Sequence, residues 1–131
     1  ELVIAAQDSI TSAPELVRLT GNIAYAHTDA TKSYLKERLV YGGHTISLAF
    51  AQILRAFPNA ITLVAWQSCD HLGPVLEEDI ISSELKINRK QPVDRGGFLY
   101  SLNVLSRALR GKGENSSRHK VLNWDLVLWS H

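Results

Sequence analysis

The stretch Arg38–Pro58, RLVYGGHTISLAFAQILRAFP, decides the predicted fold. Its residues 42–45, GGHT, are predicted to form a turn that opens a helix over about residues 45–57. The helix should end before Pro58, which lacks the backbone N–H that a continuing helix needs. Large apolar side chains and alanines lie on nearly all sides of this helix, a pattern typical of a buried helix. At about 1.5–3 kcal/mol for each large side chain fully buried, it would dominate the core.

Downstream of this helix the apolar and polar residues alternate with a period of two, which indicates β-strands. Four strands are predicted, over residues 60–69, 79–88, 98–109 and 121–129. The segments 92–97 and 111–118 carry turn residues, and strands joined by turns pair antiparallel. An antiparallel sheet curled around one buried helix belongs to the α+β class and has the hot-dog architecture. Four strands cover such a helix incompletely, so we expect a second copy, or another half of a longer protein, to complete the coverage.

The N-terminal part of the chain carries weaker local signals. The apolar segment 1–7 fits either a short strand or a linker into the domain. Ser12 and Pro14 are typical of the cap and the first turn of a helix, and Gly21 followed by Asn22 is typical of its end. The chain begins with Glu and contains no Met, so we expect it to be a piece of a longer protein.

Length and composition bound the class of protein. A chain of 131 residues is long enough for one domain with its own core, and residues 1–131 are interpreted as a single domain. With 14 Lys and Arg against 13 Asp and Glu the formal net charge is +1, which argues against binding to nucleic acid or to a membrane surface. The lone Cys69 forms no internal disulfide, and no apolar run reaches the ~20 residues of a membrane span, so a cytoplasmic location is expected.

Three segments of the chain resemble the MaoC-like dehydratases, a family that includes the (R)-specific enoyl-CoA hydratases. They are 19–29 (LTGNIAYAHTD), 38–44 (RLVYGGH) and 66–75 (WQSCDHLGPV), and the resemblance runs from about Ser9 to Trp129. The second segment is most similar to the mesaconyl-CoA hydratase branch, whose members are double hot-dog proteins. The chain is similar to their C-terminal half. The resemblance therefore implies a hot-dog fold and a partner that is either a second hot-dog half or an identical subunit.

The resemblance also implies a reaction, the reversible addition of water to the double bond of a 2-enoyl-CoA thioester. In the family an acidic residue and a histidine five positions later carry out this reaction, and here Asn22 and His27 hold those places. Asn22 can orient water through its amide but cannot act as a base. His27 is therefore the expected general acid and base. The N–H of Gly43, at the start of the central helix, matches the family's donor to the thioester oxygen.

Other residues near these three are further candidates for the site. Tyr41, Gly42 and His44 are expected to contact the substrate, although a capping role at the start of the helix is favoured for His44. Asp29 is a possible substitute for the missing acid, two residues past the histidine. The acyl group is expected to lie between the start of the central helix and the segment 19–29. No cofactor is expected, because CoA is part of the substrate.

The remaining chemically active side chains have simpler structural interpretations. No metal site is predicted, because the side chains that could form one have no recognised ligand spacing: His27, Asp29, Asp70 and His71. Four residues are expected to pack in the core or on the sheet: Trp66, Cys69, Trp124 and Trp129. A solvated hairpin, rather than a contact to CoA phosphates, is favoured for a basic cluster: Arg107, Arg110, Lys112, Arg118, His119 and Lys120.

Two other functions stay open at this point. One is a non-catalytic hot-dog half that binds acyl-CoA or mediates dimerisation, since Asn22 replaces the family's carboxylate. The other is a hot-dog thioesterase, which would release free CoA, whereas hydration leaves the thioester intact.

Overall fold

The computed structural model describes residues 2–4 and 7–131 of the chain, with side chains described from residue 7 onward. The α-helices in this part of the chain are α1 (Ala13–Leu19), α2 (Tyr25–Thr28) and α3 (Gly42–Ala56). The strands are β1 (Leu2–Ile4), β2 (Asp8–Ser9), β3 (Ala60–His71), β4 (Ile80–Pro92), β5 (Phe98–Arg110) and β6 (Ser117–Ser130). The segment 1–7, predicted to be a strand or a linker, contains β1 and otherwise lies partly outside the described residues.

The strands form one antiparallel sheet. Its order is β1-β4-β5-β6-β3, and β2 pairs with β4. The long strands β3 to β6 are the four that the alternation predicts. Each ends one to four residues later than predicted, β4 begins one residue late, and β6 begins four residues early. Their connections at 93–97 and 111–116 are correspondingly shorter than predicted. The α+β class predicted from the sequence is therefore observed, with β3 at one edge of the sheet.

Helix α3 packs one of its sides on this sheet. Ala49 and Ile53 of the helix are fully buried in a cluster with apolar residues of β4, β5 and β6. On β6 the alternate side chains are all fully buried, as their period of two predicts: Leu122, Trp124, Leu126 and Leu128. At about 1.5–3 kcal/mol for each, this face of β6 is a principal source of stability.

The observed central helix differs from the predicted one at its start and on its surface. It begins at Gly42, three residues before residue 45, because Tyr41 takes the non-helical backbone of an N-cap and both glycines are already helical. It ends at Ala56 and does not include Phe57. The prediction that the helix is buried on all sides is wrong for this chain, because the sheet covers one side and leaves Leu54 exposed.

Trp66 is a second correction. It is predicted to pack in the core or on the sheet, yet its side chain is 52% exposed. The reason is the position of β3 at the sheet edge, where nothing in the described part of the chain covers the outer end of the indole. The inner part of the ring still contacts Trp124, with 4.6 Å between ring centroids.

Helix α1 precedes the segment that carries His27. Ser12 occupies the N-cap position, but its side chain makes no capping hydrogen bond, so that prediction is wrong. Gly21 has a φ of 73°, a left-handed conformation that glycine adopts without strain, and the helix ends there as predicted. None of the described helices is long and apolar enough to cross a membrane.

Candidate active site

Aromatic rings approach the backbone closely at the start of α3. Gly42 and Gly43 are its first two residues, where backbone N–H groups have no acceptor within the helix. A Cβ on Gly42 would lie 2.9 Å from Nε2 of His71, and one on Gly43 would lie 2.7 Å from Cζ of Tyr41. Only glycine leaves room for both rings. The positive end of the helix dipole makes this start favourable to a negatively charged group.

The backbone holds His27 in one tautomer. Its Nδ1 lies 2.8 Å from the carbonyl oxygen of Leu39. A carbonyl oxygen only accepts hydrogen bonds, so Nδ1 carries the proton and Nε2 of the neutral ring is left as an acceptor. The N–H of Leu39 donates in return to the carbonyl of Ala26, at 2.9 Å, which fixes both segments. His27 therefore keeps one nitrogen with which it can take a proton from a bound molecule.

His27 and the start of α3 line one cavity of about 270 Å³. Its lining residues are His27, Tyr34, Leu39, Val40, Gly42, Thr45, His71, Gly73, Pro74 and Val75. The cavity lies between the start of the central helix and the segment that carries the histidine, where the acyl group is expected from the sequence. Of the sequence-predicted site residues, the structure brings His27 and Gly42 together here.

Tyr41 and Gly43 line a second cavity, of about 380 Å³. Its other lining residues are mostly apolar: Ile46, Ser47, Phe50, Leu63, Trp66 and Trp124. The ring of Tyr41 also meets the ring of His27 edge to face, with 6.1 Å between the centroids. The predicted site residues thus lie in two cavities. Gly42 lines the first and Gly43 the second, and these are consecutive residues at the start of α3.

Asn22 and Asp29 line neither of these cavities. The Oδ1 of Asn22 accepts a hydrogen bond from the N–H of Ala24, at 2.9 Å, which closes a local turn. Asp29 caps a short 3₁₀ turn, and its Oδ1 accepts from the hydroxyl and the N–H of Thr31, at 2.6 and 3.0 Å. The hydroxyl of Thr31 is the main reason that the pKa of Asp29 lies below its usual value. The carboxylate of Asp29 therefore stays ionised and serves the turn.

His44 does not cap the helix. Tyr41 takes the cap position, and His44 is already the third residue of the helix, so the capping interpretation is wrong. The Nδ1 of His44 is buried and has no hydrogen-bond partner among the described residues. Burial of this ring lowers the pKa of His44 below its usual value of 6.5, because the charged imidazolium loses its hydration.

The lowered pKa of His44 predicts that the fold loses stability as the pH falls. In the unfolded chain His44 binds a proton as the pH drops through about 6.5, whereas the folded protein resists protonation until a lower pH. The unfolded state then binds more protons, so the free energy of unfolding decreases below about pH 6.5. We expect the urea midpoint to fall less for His44→Gln than for the wild type between about pH 7.5 and about pH 5.5. An equal fall in both proteins would contradict this assignment.

An ion pair holds the 73–75 turn, which forms one wall of the first cavity. Arg110 donates from Nε and Nη2 to the two carboxylate oxygens of Asp79, at 3.0 and 2.7 Å, and from Nη2 to the carbonyl of Pro74, at 3.1 Å. Asp79 is 2% exposed and also accepts from the N–H of Leu76. Its hydrogen bonds raise the pKa of Arg110 further, so the guanidinium stays charged. The solvated-hairpin interpretation is therefore wrong for Arg110.

The rest of the basic cluster divides into one half-buried arginine and four exposed side chains. Arg107 pairs with Glu84 at the surface of the sheet. The other four side chains are exposed, as expected of a solvated hairpin: Lys112, Arg118, His119 and Lys120.

A second ion pair lies beside the carbonyl that holds His27. Arg38 donates from Nη1 to both carboxylate oxygens of Glu77, at 2.8 and 2.6 Å. The neighbouring backbone pairs as a short antiparallel bridge between Leu39 and Leu76. This pairing fixes the path of residues 38–40, and hence the position of the Leu39 carbonyl.

Several lining residues have no site role assigned from the sequence, chiefly Thr45 and His71. The signal for His71 is its position at a strand end just before Gly73 and Pro74, because strand ends open onto cavities at the edge of a sheet. Within residues 7–131, no group of three or more His, Cys, Asp or Glu side chains is arranged to hold a metal ion. Cys69 packs against the core as expected, and burial raises the pKa of its thiol.

Comparison with solved structures gives the class of protein. A Mycobacterium tuberculosis protein described as having a double hotdog fold superposes with a TM-score of 0.88 and 39% identity, over 100% of this chain and 38% of that one. The R-hydratase PhaJ1 of Pseudomonas aeruginosa superposes with a TM-score of 0.77 and 19% identity, over 99% of this chain and 79% of that one. The chain therefore has the hot-dog fold, as predicted. A hexameric hotdog-fold thioesterase of Campylobacter jejuni shares it more distantly, with a TM-score of 0.55.

Comparison of sequences adds a more specific relative within this class of protein. The mesaconyl-CoA hydratase of Cereibacter sphaeroides is 39% identical over 64 residues, which make up 49% of this chain and 19% of that protein. No family model matches the sequence. The resemblance to MaoC-like and (R)-hydratase proteins is confirmed by these relatives. The matches span about a fifth of the length of the mesaconyl-CoA hydratase and about two fifths of the double hotdog protein.

Proposed function

We propose that this chain adds water reversibly to the double bond of a 2-enoyl-CoA thioester. The observation that carries the proposal is the hydrogen bond from Nδ1 of His27 to the carbonyl of Leu39, at 2.8 Å. It leaves Nε2 as the proton acceptor of a ring that lines a cavity at the start of α3. A base for the water and the positive end of a helix for the thioester oxygen are both features that this addition requires.

The proposed reaction begins with water held near His27. Nε2 of His27 removes a proton as the water oxygen bonds to C3 of the substrate. The electron pair of the C2–C3 double bond moves to the thioester, and negative charge develops on its oxygen. The N–H of Gly43 donates to that oxygen, supported by the helix dipole. The enolate then takes a proton at C2, which completes the addition of one water. Tyr41 and Gly42 contact the thioester. His44 lies in the same first turn of the helix and stabilises it.

The apolar second cavity fits the acyl chain better than the first cavity, where the sequence led us to expect it. Its aliphatic and aromatic side chains adjoin Gly43, the residue assigned to the thioester oxygen. An acyl group bound there would exchange water for apolar contacts, at about 25 cal/mol for each Å² buried. Asn22 would hold the water only if its side chain leaves the turn that it makes with Ala24.

We also propose a second hot-dog unit as partner, either a second copy or another half of a longer protein. The edge strand β3 and the uncovered side of α3 expose large apolar side chains: Leu54, Ile61, Val64 and Trp66. Apolar patches of this kind are typical of protein interfaces. The exposed edge of β3 offers unpaired backbone groups for the contact.

A binding half without catalysis is the second candidate. It is favoured by one observation, the asparagine at the position of the family's acid, with its Oδ1 already bonded to Ala24. In that case the same cavities would hold an acyl-CoA without converting it.

A direct assay on the purified chain tests these proposals. Crotonyl-CoA and mesaconyl-CoA are offered, enoyl absorbance and free thiol are followed together, and the mass in solution is measured by light scattering. We expect enoyl absorbance to fall without release of thiol, from a particle of twice the mass of the chain. Release of thiol would instead make the protein a thioesterase. Saturable binding without either change would make it a binding half, and a monomeric mass would exclude self-association.

A further inference from the structure

His71 places a second imidazole at the start of α3. It is the last residue of β3, where its backbone pairs with Leu122 of β6. Its ring fills the space that a side chain at position 42 would need, since a Cβ on Gly42 would lie 2.9 Å from both Cε1 and Nε2 of the ring. No side-chain hydrogen bond to another described residue holds this ring, and its surface is open to solvent.

The two imidazoles reach the same cavity from different elements. His27 comes from α2 and His71 from β3, and both line the cavity of about 270 Å³. The two rings contact consecutive residues of the chain. The ring of His27 faces Tyr41, and the ring of His71 covers Gly42. A molecule bound at the start of α3 would therefore lie within reach of both.

Among the described residues that line the cavity, no other side chain is suited to proton transfer near neutral pH. Nδ1 of His27 is committed to Leu39, so this ring offers one nitrogen. Asn22, at the position of the family's acid, has an amide that does not act as an acid near neutral pH, and it does not line the cavity. Tyr34 lines the cavity but is largely exposed, and a phenol is a much weaker acid than an imidazolium.

We infer that His71 is a second catalytic residue, which donates the proton to C2 while His27 takes the proton from water. The inference rests on the proposed hydratase function. After the water oxygen has bonded to C3, the enolate returns its electron pair to C2, and a C2–H bond forms with the proton of the His71 imidazolium. His27 ends protonated and His71 neutral. Both recover by exchange with bulk water, which reaches the exposed ring of His71, so that one water is added in all.

A partial reaction distinguishes the role of His71 from that of His27. Butyryl-CoA has no double bond for water to attack, but its C2 protons can exchange in D₂O through the same enolate. We expect His71→Gln to lower both this exchange and hydration by about 10²-fold or more. His27→Asn should lose hydration yet keep exchange at the order of magnitude of the wild type. His119→Gln, an exposed histidine bonded to Ser117 on β6, is the matched control and should change neither rate.

Three outcomes are distinguishable. Exchange lost in His71→Gln and kept in His27→Asn supports the inference. A wild type that hydrates, together with a His71→Gln variant that exchanges at the wild-type rate, overturns the inference alone. A wild type with neither hydration nor exchange overturns the proposed function, and the role of His71 with it.

Discussion

His27→Asn is expected to lower kcat for hydration by about 10²–10⁴-fold, the usual contribution of a positioned acid or base. The amide of asparagine can still donate to the carbonyl of Leu39, as Nδ1 of the histidine does at 2.8 Å. The variant should therefore keep the hydrogen bond to Leu39 while it loses the acceptor at Nε2 and the ring contact with Tyr41. Enoyl absorbance under saturating substrate measures kcat directly, and KM should change little because no binding contact is removed.

A matched variant distinguishes this loss from a general effect of removing a histidine. His119→Asn changes an exposed residue on β6 that lines neither cavity, and it should leave kcat unchanged. If His27→Asn retains the wild-type kcat, His27 is not the base, and the hydrogen bond to Leu39 is structural.

Arg110→Met is expected to lower the free energy of unfolding by about 3 kcal/mol, because it leaves a buried carboxylate without its partner. Asp79 is 2% exposed, and the two hydrogen bonds from Arg110 compensate its lost hydration. The guanidinium side chain is 30% exposed, so water can enter after the substitution, and we expect the lower end of the usual range. Urea unfolding followed by circular dichroism measures the loss.

The same strand supplies the control for this prediction. Arg107 pairs with Glu84, whose side chain is 39% exposed, so Arg107→Met should cost at most about 1 kcal/mol. Equal losses in the two variants would mean that the pair of Arg110 with Asp79 is no stronger than a surface pair.

The parts of the fold that follow from local patterns were predictable. The alternation in β6 places Leu122, Trp124, Leu126 and Leu128 on one face, and all four are buried. The start of α3 was misplaced by three residues because glycine is both a turn signal and a permissible first residue of a helix. The exposure of Trp66 depends on the order of strands in the sheet, which alternation within one strand does not encode.

Only the part of the candidate site that lies in the segments of the family resemblance was predictable from the sequence. His27 and Gly42 come from segments that the family resemblance already joins, and they share a cavity. The turn closed by Asn22 and the cap made by Asp29 depend on side-chain rotamers. The spacing of residues in the sequence does not determine these rotamers. The strand end before Gly73 and Pro74 marks His71 as a candidate, but its contact with Gly42 is long-range, and the spacing of residues in the sequence does not encode it.

The tautomer of His27 depends on a backbone atom of a residue that lines the cavity. Leu39 supplies its carbonyl to Nδ1 and is one of the lining residues. Exchange of that side chain alters the shape of the cavity without removing the acceptor that orients the imidazole. Position 39 is therefore suited to saturation mutagenesis, because substrate preference can be retuned there while the base keeps its protonation pattern.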